Sequence, residues 1–378
     1  MYTFQITPQS QCTGCQACLN VCPKSCISME TGFLGHIYPK IDQNACIDCG
    51  LCRKVCPVNH PIEKKSPITV FAGWHKDIEE YFSSSSGGAA AALSKEIIRK
   101  GGVVYGCASL PGIKVRHVRV STDNELPLLK GSKYVQSNVD DSYKLVLSDL
   151  RKGLLVLFIG TPCQVAGLKG FLRKDYDNLY TVDLICHGTP SLDYLKIHVK
   201  KVSKGKGVKV QFRKGNDMGL RVFDEEGNQI YYSNVWRNRY KDTYYNTFID
   251  GYTYRDSCYQ CSYASPERCS DITIGDYWGI GEDFVYDSIN GCSCMFPITR
   301  KGITLLRSCN LILHERRVEE AVEGNEQLRH PKMLDFRRKV FRKLCDMIGI
   351  SAAYCFCEWD HIFEKYVILK VKRKLHLK

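Results

Sequence analysis

The chain has 378 residues, 44% of them hydrophobic and 25% charged, which is ordinary for a globular protein with room for two or three domains. No segment has the roughly 18 uninterrupted apolar residues of a membrane-spanning helix, so the sequence predicts no such helix. The formal charge of +13 favours an anionic partner, such as acidic lipid, a phosphorylated cofactor, an acidic protein or nucleic acid. Because no apolar stretch follows a basic start, we predict no signal peptide and a cytoplasmic, reducing location.

Two cysteine runs near the N-terminus carry the clearest signal. Residues 12–23 and residues 46–57 each read C-x2-C-x2-C-x3-C-P, the ligand pattern of bacterial two-cluster ferredoxins. In that pattern the fourth cysteine of each run binds the cluster of the other run. We therefore predict two 4Fe–4S clusters. The first site comprises Cys12, Cys15, Cys18 and Cys56, and the second site comprises Cys46, Cys49, Cys52 and Cys22.

Zinc and disulfide bonds are the alternative uses of these cysteines. Zinc takes at most four thiolates, whereas each run places a third cysteine within a tight loop and ends in Cys-Pro, so the clusters are favoured. Disulfides are disfavoured in a reducing compartment. Cys26 fits neither run, and we expect a small buried side chain there.

Beyond residue 62 the pattern changes from a two-cluster ferredoxin domain (1–62) to a mixed α/β core and a basic helical tail. Strands and helices alternate along the core, which indicates a parallel or mixed sheet covered by helices. Residues 154–159 form an uninterrupted apolar run, typical of a strand buried on both faces. We divide this region into a first part of the core at 68–150, a second part at 151–330 and the tail at 331–378.

Four cysteines of the core are candidates for a third cluster. Cys163 and Cys186 each follow a predicted strand, at the edge where open α/β sheets bind ligands, and Cys258 and Cys261 form a C-x2-C pair. The alternative is that Cys163 and Cys186 are buried structural thiols, a common environment for cysteine. Spacing alone leaves both interpretations open.

Two loops are candidates for binding a phosphate-bearing cofactor. The first, the serine loop, precedes a predicted helix at 89–100, whose N-terminal N–H groups and dipole attract anions. The second, the lysine loop, suits a pyrophosphate or an acidic substrate. The alternatives are a flexible serine turn and an exposed basic loop. The candidate residues are Ser84, Ser85, Ser86, Gly87 and Gly88 in the serine loop, and Lys130, Ser132, Lys133 and Tyr134 in the lysine loop.

Two histidines lie near these segments. His187, beside Cys186 at the expected sheet edge, is a candidate for proton transfer. His117 is more readily explained as a structural residue.

Several ordered segments of the core resemble those of a known family. They lie at residues 84–88, 101–106, 130–137, 160–164, 183–188, 190–191, 258–261 and 271–279. With the cysteine runs, the chain resembles the beta subunit of the coenzyme F420 hydrogenases and dehydrogenases, in the form with an N-terminal two-cluster ferredoxin domain. The resemblance covers roughly residues 1–310.

The resemblance implies a flavoprotein that binds FAD beside an iron–sulfur cluster. Because members without the ferredoxin domain still carry one cluster, it implies a third 4Fe–4S cluster in the core. It also implies cofactor contacts from Gln136 and Thr161, which lie on matching segments. The cysteines on matching segments, which we name the core site, are Cys163, Cys186, Cys258 and Cys261.

We therefore expect an iron–sulfur flavoprotein oxidoreductase. Its flavin would pass electrons one or two at a time between the clusters and an organic substrate or deazaflavin-type coenzyme. Some members of the family that this chain resembles look like accessory enzymes of surface-polysaccharide synthesis, so a role in that synthesis is a further expectation. The alternative is an electron-relay subunit of a larger hydrogenase or dehydrogenase complex, without a substrate site. Expected partners are an electron donor or acceptor protein and a small-molecule substrate; nucleic acid is disfavoured, because only net charge supports it.

The tail is predicted to form a basic amphipathic helix at 334–348, followed by a basic cluster at 370–374. Such a helix is suited to lying on an anionic membrane surface or docking on a partner. The alternative is a helix packed on its own core with a solvated basic face. The residues expected on its apolar face are Phe336, Val340, Phe341, Leu344 and Met347.

Overall fold

The computed structural model describes residues 5–238, 240–281 and 290–364. Its N-terminal segment contains the helices α1 (Ala17–Val21) and α2 (Leu51–Lys54) and an antiparallel hairpin of β1 (Ile27–Thr31) and β2 (Ile37–Ile41). Gln16 and Gly50 precede the two helices, and both have a left-handed backbone, with φ of 62° and 68°. The two cysteine runs therefore fold as a local repeat, each turning after its second cysteine.

The core consists of strands between residues 70 and 316 and of helices that cover them. The strands are β3 (Val70–His75), β4 (Val103–Leu110), β5 (Lys114–Val120), β6 (Val156–Gly160), β7 (Leu179–Leu184), β8 (Lys209–Lys214), β9 (Asp217–Phe223), β10 (Gln229–Asn234), β11 (Ile272–Asp276), β12 (Ser293–Pro297) and β13 (Leu311–Arg316). The helices are α3 (Ile78–Phe82), α4 (Ala89–Arg99), α5 (Ser142–Arg151), α6 (Pro162–Leu172), α7 (Leu192–Val202), α8 (Thr243–Ile249), α9 (Arg300–Ser308), α10 (Val318–Gly324), α11 (Phe336–Ile348) and α12 (Ile350–Cys357). Short 3-10 helices lie at Gln9–Gln11, Phe33–Gly35, Asp123–Leu129, Asp256–Gln260 and Glu326–Leu328.

The main sheet has the strand order β13-β3-β12-β11-β7-β6-β4-β5. Its centre, β4-β6-β7-β11, is parallel, whereas the strands at both sides pair antiparallel. The predicted mixed α/β fold class is therefore confirmed. β3 lies between β12 and β13, so the two predicted parts of the core share one sheet.

The apolar run at 154–159 becomes the central strand β6. Val156 and Phe158 pack into the hydrophobic cluster on one face of the sheet, and Leu157 packs into the cluster on the other. This alternation explains why the strand has no polar face. β6 then passes directly into α6, which begins with a capping box between Thr161 and Gln164 and has Pro162 in its first turn.

A smaller antiparallel sheet, β8-β9-β10, packs with α7 and α8. The core between them is aromatic, with Tyr194, Phe212, Tyr244 and Tyr245 buried.

The C-terminal helices pack on the rest of the chain. Phe341 and Cys345 of α11 are buried against Tyr252 and Tyr354, whereas Phe336 and Met347 are 79% and 78% exposed. The prediction of one continuous apolar face is therefore wrong at these two positions, because the buried stripe of α11 runs through Phe341 and Cys345 instead.

The basic face of α11 is largely paired with carboxylates. Its arginines form ion pairs, Arg337 with Asp360, Arg338 with Asp335 and Arg342 with Asp256. The predicted basic cluster at 370–374 lies outside the described residues. In the described part of the chain no helix is both long enough and apolar enough to cross a membrane.

Candidate functional site

The structure brings together the thiols assigned to the first site. Burial, with smaller contributions from the neighbouring thiols of Cys56 and Cys12, raises the pKa of the Cys15 thiol to about 12. Burial likewise raises the pKa of Cys18, with Cys15, Cys12 and Cys56 as its neighbours. Cys56 thus reaches from the second run into the first, as the crossed ligand pattern requires.

The thiols assigned to the second site line one cavity at the surface. Its walls include Cys22, Cys46, Cys49 and Cys52, and Cys49 is exposed. Cys26 lines the same cavity, with its Sγ 3.3 Å from that of Cys22. Cys26 is buried as expected, but it is also a direct neighbour of the second site. In the sequence, this proximity is indicated by the position of Cys26 four residues after Cys22, just past the Cys-Pro turn.

The core site is assembled from three separate segments. Cys163 lies in the first turn of α6, Cys186 follows β7, and Cys258 and Cys261 lie in and after the 3-10 helix Asp256–Gln260. The backbone N–H of Arg255 donates to the carbonyl of Thr189 (3.2 Å), which holds the loop after Cys186 against the segment before Cys258. A β-carbon on Gly188 would lie 2.5 Å from the Tyr254 ring, so only glycine permits this close approach.

The core thiols influence one another electrostatically. Burial, with a smaller contribution from the thiol of Cys261, raises the pKa of Cys163 to about 11 and that of Cys258 to about 12. Burial also raises the pKa of Cys186, with Cys258, Cys163 and Cys261 as its thiol neighbours. These four side chains are therefore neutral thiols close to one another, and a cluster would have to displace their protons.

No three His, Cys, Asp or Glu side chains of the described residues converge tightly enough to hold a single metal ion. A 4Fe–4S cluster needs a wider arrangement, because its thiolates surround a cube of iron and sulfide. All 21 cysteines lie in the described part of the chain, and all are free thiols there.

Helix α6 connects the core site to the first site. A β-carbon on Gly170 would lie 2.4 Å from the carbonyl oxygen of Val55, and one on Gly167 would lie 2.8 Å from Cβ of Cys15. The helix that carries Cys163 thus packs directly on both cysteine runs. Consistent with this proximity, the thiol of Cys163 is among the charges that raise the pKa of Cys15.

The serine loop and the lysine loop meet beside the N-terminus of α4. The backbone N–H of Ser132 donates to Oγ of Ser85 (3.0 Å). Nζ of Lys130 donates to Oγ of Ser83 (2.7 Å) and pairs with the carboxylate of Glu80 (2.6 Å). The sequence patterns predict the two loops separately, and the structure joins them.

Other residues of the serine loop serve internal packing. The hydroxyls of Ser84 and Ser86 donate to the carbonyls of Glu80 and Cys292. A β-carbon on Gly87 would lie 2.2 Å from the carbonyl oxygen of Gly73, so this glycine permits packing against β3 rather than close approach of a ligand. Gly88 caps α4 with a φ of 83°.

Lys133 and Tyr134 point into the protein. Nζ of Lys133 donates to the carbonyls of Leu129 (2.7 Å) and Lys130 (2.9 Å), and desolvation lowers its pKa. The Tyr134 ring stacks on Phe248. Lys130 is itself paired with Glu80, and Ser85 accepts from Ser132. Both nevertheless lie beside the first turn of α4, and together with its N–H groups they would fit a phosphate.

Gln136 and Thr161 lie at the cysteine sites instead of these loops. Nε2 of Gln136 donates to the carbonyl of Thr13 (3.1 Å), and its Oε1 accepts from Nε of Arg255 (3.1 Å). Oγ1 of Thr161 is 3.2 Å from Sγ of Cys163. Both side chains are thus engaged beside the first site and the core site, respectively.

The two histidines have different surroundings. His187 is exposed, yet the protein around it desolvates the imidazole and lowers its pKa, with Glu326 and Asp276 acting in the opposite direction. His117 is buried, and its ring nitrogens contact Oγ of Ser137 and the carbonyl of Ile159. His117 is therefore structural, as expected.

Arg255 is a further residue at these sites, and the sequence patterns above do not single it out. Its side chain is 1% exposed and lies between the first cysteine run and the core. In the sequence, the one feature that points to Arg255 is its position three residues before Cys258.

Two regions of the chain match known protein families. Residues 154–319 match the family described as the C terminus of the coenzyme F420 hydrogenase/dehydrogenase beta subunit, and residues 11–60 match the 4Fe-4S dicluster domain. A chain of the xenon-derivatised F420-reducing NiFe hydrogenase complex from Methanosarcina barkeri is similar in structure, with a TM-score of 0.46 and 19% identity over 77% of this chain and 91% of that chain. No curated protein matches the chain.

Proposed function

Because the chain joins a 4Fe-4S dicluster domain to a C-terminal domain of the coenzyme F420 hydrogenase/dehydrogenase beta subunit family, we propose that it is an iron–sulfur flavoprotein oxidoreductase. In this proposal three 4Fe–4S clusters occupy the first site, the second site and the core site. FAD binds at the serine and lysine loops and exchanges electrons with a two-electron acceptor.

The observation that carries the proposal is the order of the three cysteine sites. The second site opens at the surface, with Cys49 exposed. The first site is buried between it and the core, where α6 links Cys15 to Cys163. Electrons from a partner protein would therefore enter at the second cluster, pass to the first and reach the core cluster.

The position of the serine loop supports a flavin at the inner end of this route. β3 pairs antiparallel with β12, which pairs antiparallel with β11, so β3 runs parallel to the central strands. The serine loop after β3 and the cysteines after β6 and β7 consequently lie at the same edge of the sheet. Ligands of open α/β sheets bind at this carboxyl edge.

Flavin at that edge supplies the conversion between one-electron and two-electron transfer. The chain's contribution is to bind and orient it. Lys130 and the first turn of α4 would hold the phosphates. His187, exposed at the same edge, would hold or deliver a proton, because a lowered pKa keeps its imidazole neutral near pH 7. The acceptor is either a deazaflavin-type coenzyme or an organic substrate, with surface-polysaccharide synthesis as one context.

The second candidate is an electron-relay subunit without its own substrate site. The internal hydrogen bonds of Lys133, Ser84 and Ser86 favour it, since these side chains are already engaged. A relay would contain the clusters but would depend on another subunit for two-electron chemistry.

Anaerobic purification followed by iron, sulfide and flavin analysis tests the proposal. We expect about twelve irons per chain, four for each cluster, together with a flavin absorbance spectrum and FAD on extraction. About twelve irons without flavin would support the relay instead. Fewer than about eight irons and no flavin would refute both.

A further inference from the structure

Arg255 is an almost fully buried charged group at the first site and the core site. Its guanidinium donates to the carbonyls of Cys12 (3.2 Å) and Ile37 (2.6 Å) and to Oε1 of Gln136 (3.1 Å). It also lies over the Tyr38 ring, 4.5 Å from the centroid. All of these partners are neutral, so they satisfy its hydrogen bonds without balancing its charge.

Other buried arginines of this chain are paired with carboxylates. Arg268 pairs with Asp183 and Arg213 pairs with Asp276, whereas Arg255 forms no ion pair with any described residue. A guanidinium remains protonated in proteins, and burying an unpaired charge is costly. Negative charge at a neighbouring cysteine site would therefore stabilise the Arg255 guanidinium.

Two cysteine sites lie close enough to supply it. The Arg255 guanidinium contacts the first cysteine run, where a β-carbon on Gly14 would lie 2.7 Å from its Nη2. The backbone carbonyl of Arg255 accepts from the backbone N–H of Cys258 (2.9 Å), a residue of the core site. Arg255 thus contacts segments of both sites.

We propose that Arg255 is the shared counter-charge of the first cluster and the core cluster, and that it raises the reduction potentials of both. The inference rests on the proposed function, since it requires clusters at these sites. Each cluster, ligated by four thiolates, gains negative charge on reduction, and a fixed positive charge favours that form. Arg255 is therefore a positioning residue for electron transfer between the two clusters.

The test compares Arg255→Gln and Arg255→Lys with the unsubstituted protein, each purified anaerobically as the full chain. EPR-monitored redox titration gives the midpoint potentials of the individual clusters, and iron analysis shows whether all are present. We expect Arg255→Gln to lower the potentials of the first and core clusters and to leave the second unchanged. The cluster potentials of Arg255→Lys should stay close to the native values, because lysine keeps the positive charge. Lysine loses only the planar arrangement of guanidinium donors.

Gln136→Glu provides an independent route if Arg255→Gln fails to assemble. It places a carboxylate beside Nε of Arg255 with almost no change in shape, and we expect it to lower the same two potentials. Arg213→Gln is the matched control, since Arg213 is buried but paired with Asp276; its cluster potentials should be native.

Unchanged potentials in Arg255→Gln or, where that variant does not assemble, in Gln136→Glu would overturn the proposal. Equal shifts in Arg255→Gln and Arg255→Lys would also overturn it, since charge could not then be the cause. The proposed function fails separately, if the unsubstituted protein itself lacks the third cluster signal.

Discussion

Gly167 in α6 lies so close to Cys15 that a β-carbon on the glycine would be 2.8 Å from Cβ and 3.0 Å from Sγ of the cysteine. Cys163 lies one turn earlier on the same helix. A single rigid element therefore sets the spacing between a thiol of the first site and a thiol of the core site. This spacing does not depend on a flexible linker.

Gly167→Ala should disturb the first site. The added methyl group overlaps Cys15 and the Tyr143 hydroxyl, and such overpacking costs about 1–3 kcal/mol. We expect lower thermal stability and loss or distortion of the first cluster's EPR signal. Lys169→Ala, at a partly exposed position of the same helix, is the control. Native iron content and spectra in Gly167→Ala would contradict this interpretation of the contact.

Cys258→Ala should remove the core cluster and leave the N-terminal pair. The expected result is about four fewer irons per chain with both ferredoxin-type signals retained. Cys269→Ala is the matched control, because Cys269 is also buried but belongs to none of the three sites. Equal iron content in Cys258→Ala and the unsubstituted protein would exclude the third cluster.

Cys26→Ala should retain both N-terminal clusters, whereas Cys22→Ala should lose or destabilise the second. The two sulfur atoms are only 3.3 Å apart, so the pair distinguishes ligation from proximity. Iron analysis and EPR spectra of both variants provide the measurement. Loss of the second cluster in Cys26→Ala would show that our assignment of the ligands is wrong.

Asp183 should make stability depend on pH. Burial raises its pKa from 3.8 to about 6, although Arg268 acts in the opposite direction. A raised carboxyl pKa means that the folded state binds the proton more tightly, so this contribution is present below pH 4 and is lost as the pH rises through 6. Relative to Asp183→Asn, the unsubstituted protein should therefore lose up to about 3 kcal/mol of stability between pH 3 and 7. Thermal unfolding of both proteins across this range is the check, and parallel pH profiles would contradict it.

Lys130→Ala should weaken FAD binding. A charge-assisted hydrogen bond to phosphate contributes about 1.5–3 kcal/mol, so the expected loss in affinity is roughly tenfold or more. Titration of the flavin-depleted protein with FAD measures it. Lys144→Ala, which removes an exposed lysine paired with Asp141, should bind FAD normally. Native affinity in Lys130→Ala would remove the lysine loop from the flavin site.

Local patterns predicted much of this structure. The apolar run at 154–159 indicated a buried strand, and β6 packs against both hydrophobic clusters. The repeated cysteine spacing indicated that Cys56 crosses to the first run, and its thiol lies there. These features depend on short stretches of chain, whose periodicity and spacing are visible in the sequence.

Features that need distant segments could not be predicted. Gln136 was expected at a cofactor but contacts Thr13, because the ferredoxin segment packs over that part of the core. Arg255 is buried by groups at residues 12, 37 and 136, none of which is near it in sequence. Gly87 resembled a ligand-binding glycine, yet the position of β3 makes it a packing residue.

The insertion of β3 between β12 and β13 has a consequence for how the protein matures. Among the strands of the described residues, β3 pairs only with these two, which end at residues 297 and 316. During synthesis, more than two hundred further residues must therefore be added before β3 can pair with another strand. The thiols of the first and second sites, in contrast, are all made by residue 56. The ferredoxin segment is thus synthesised long before β3 can pair, and the edge that holds the serine loop is completed only once β12 and β13 have been made.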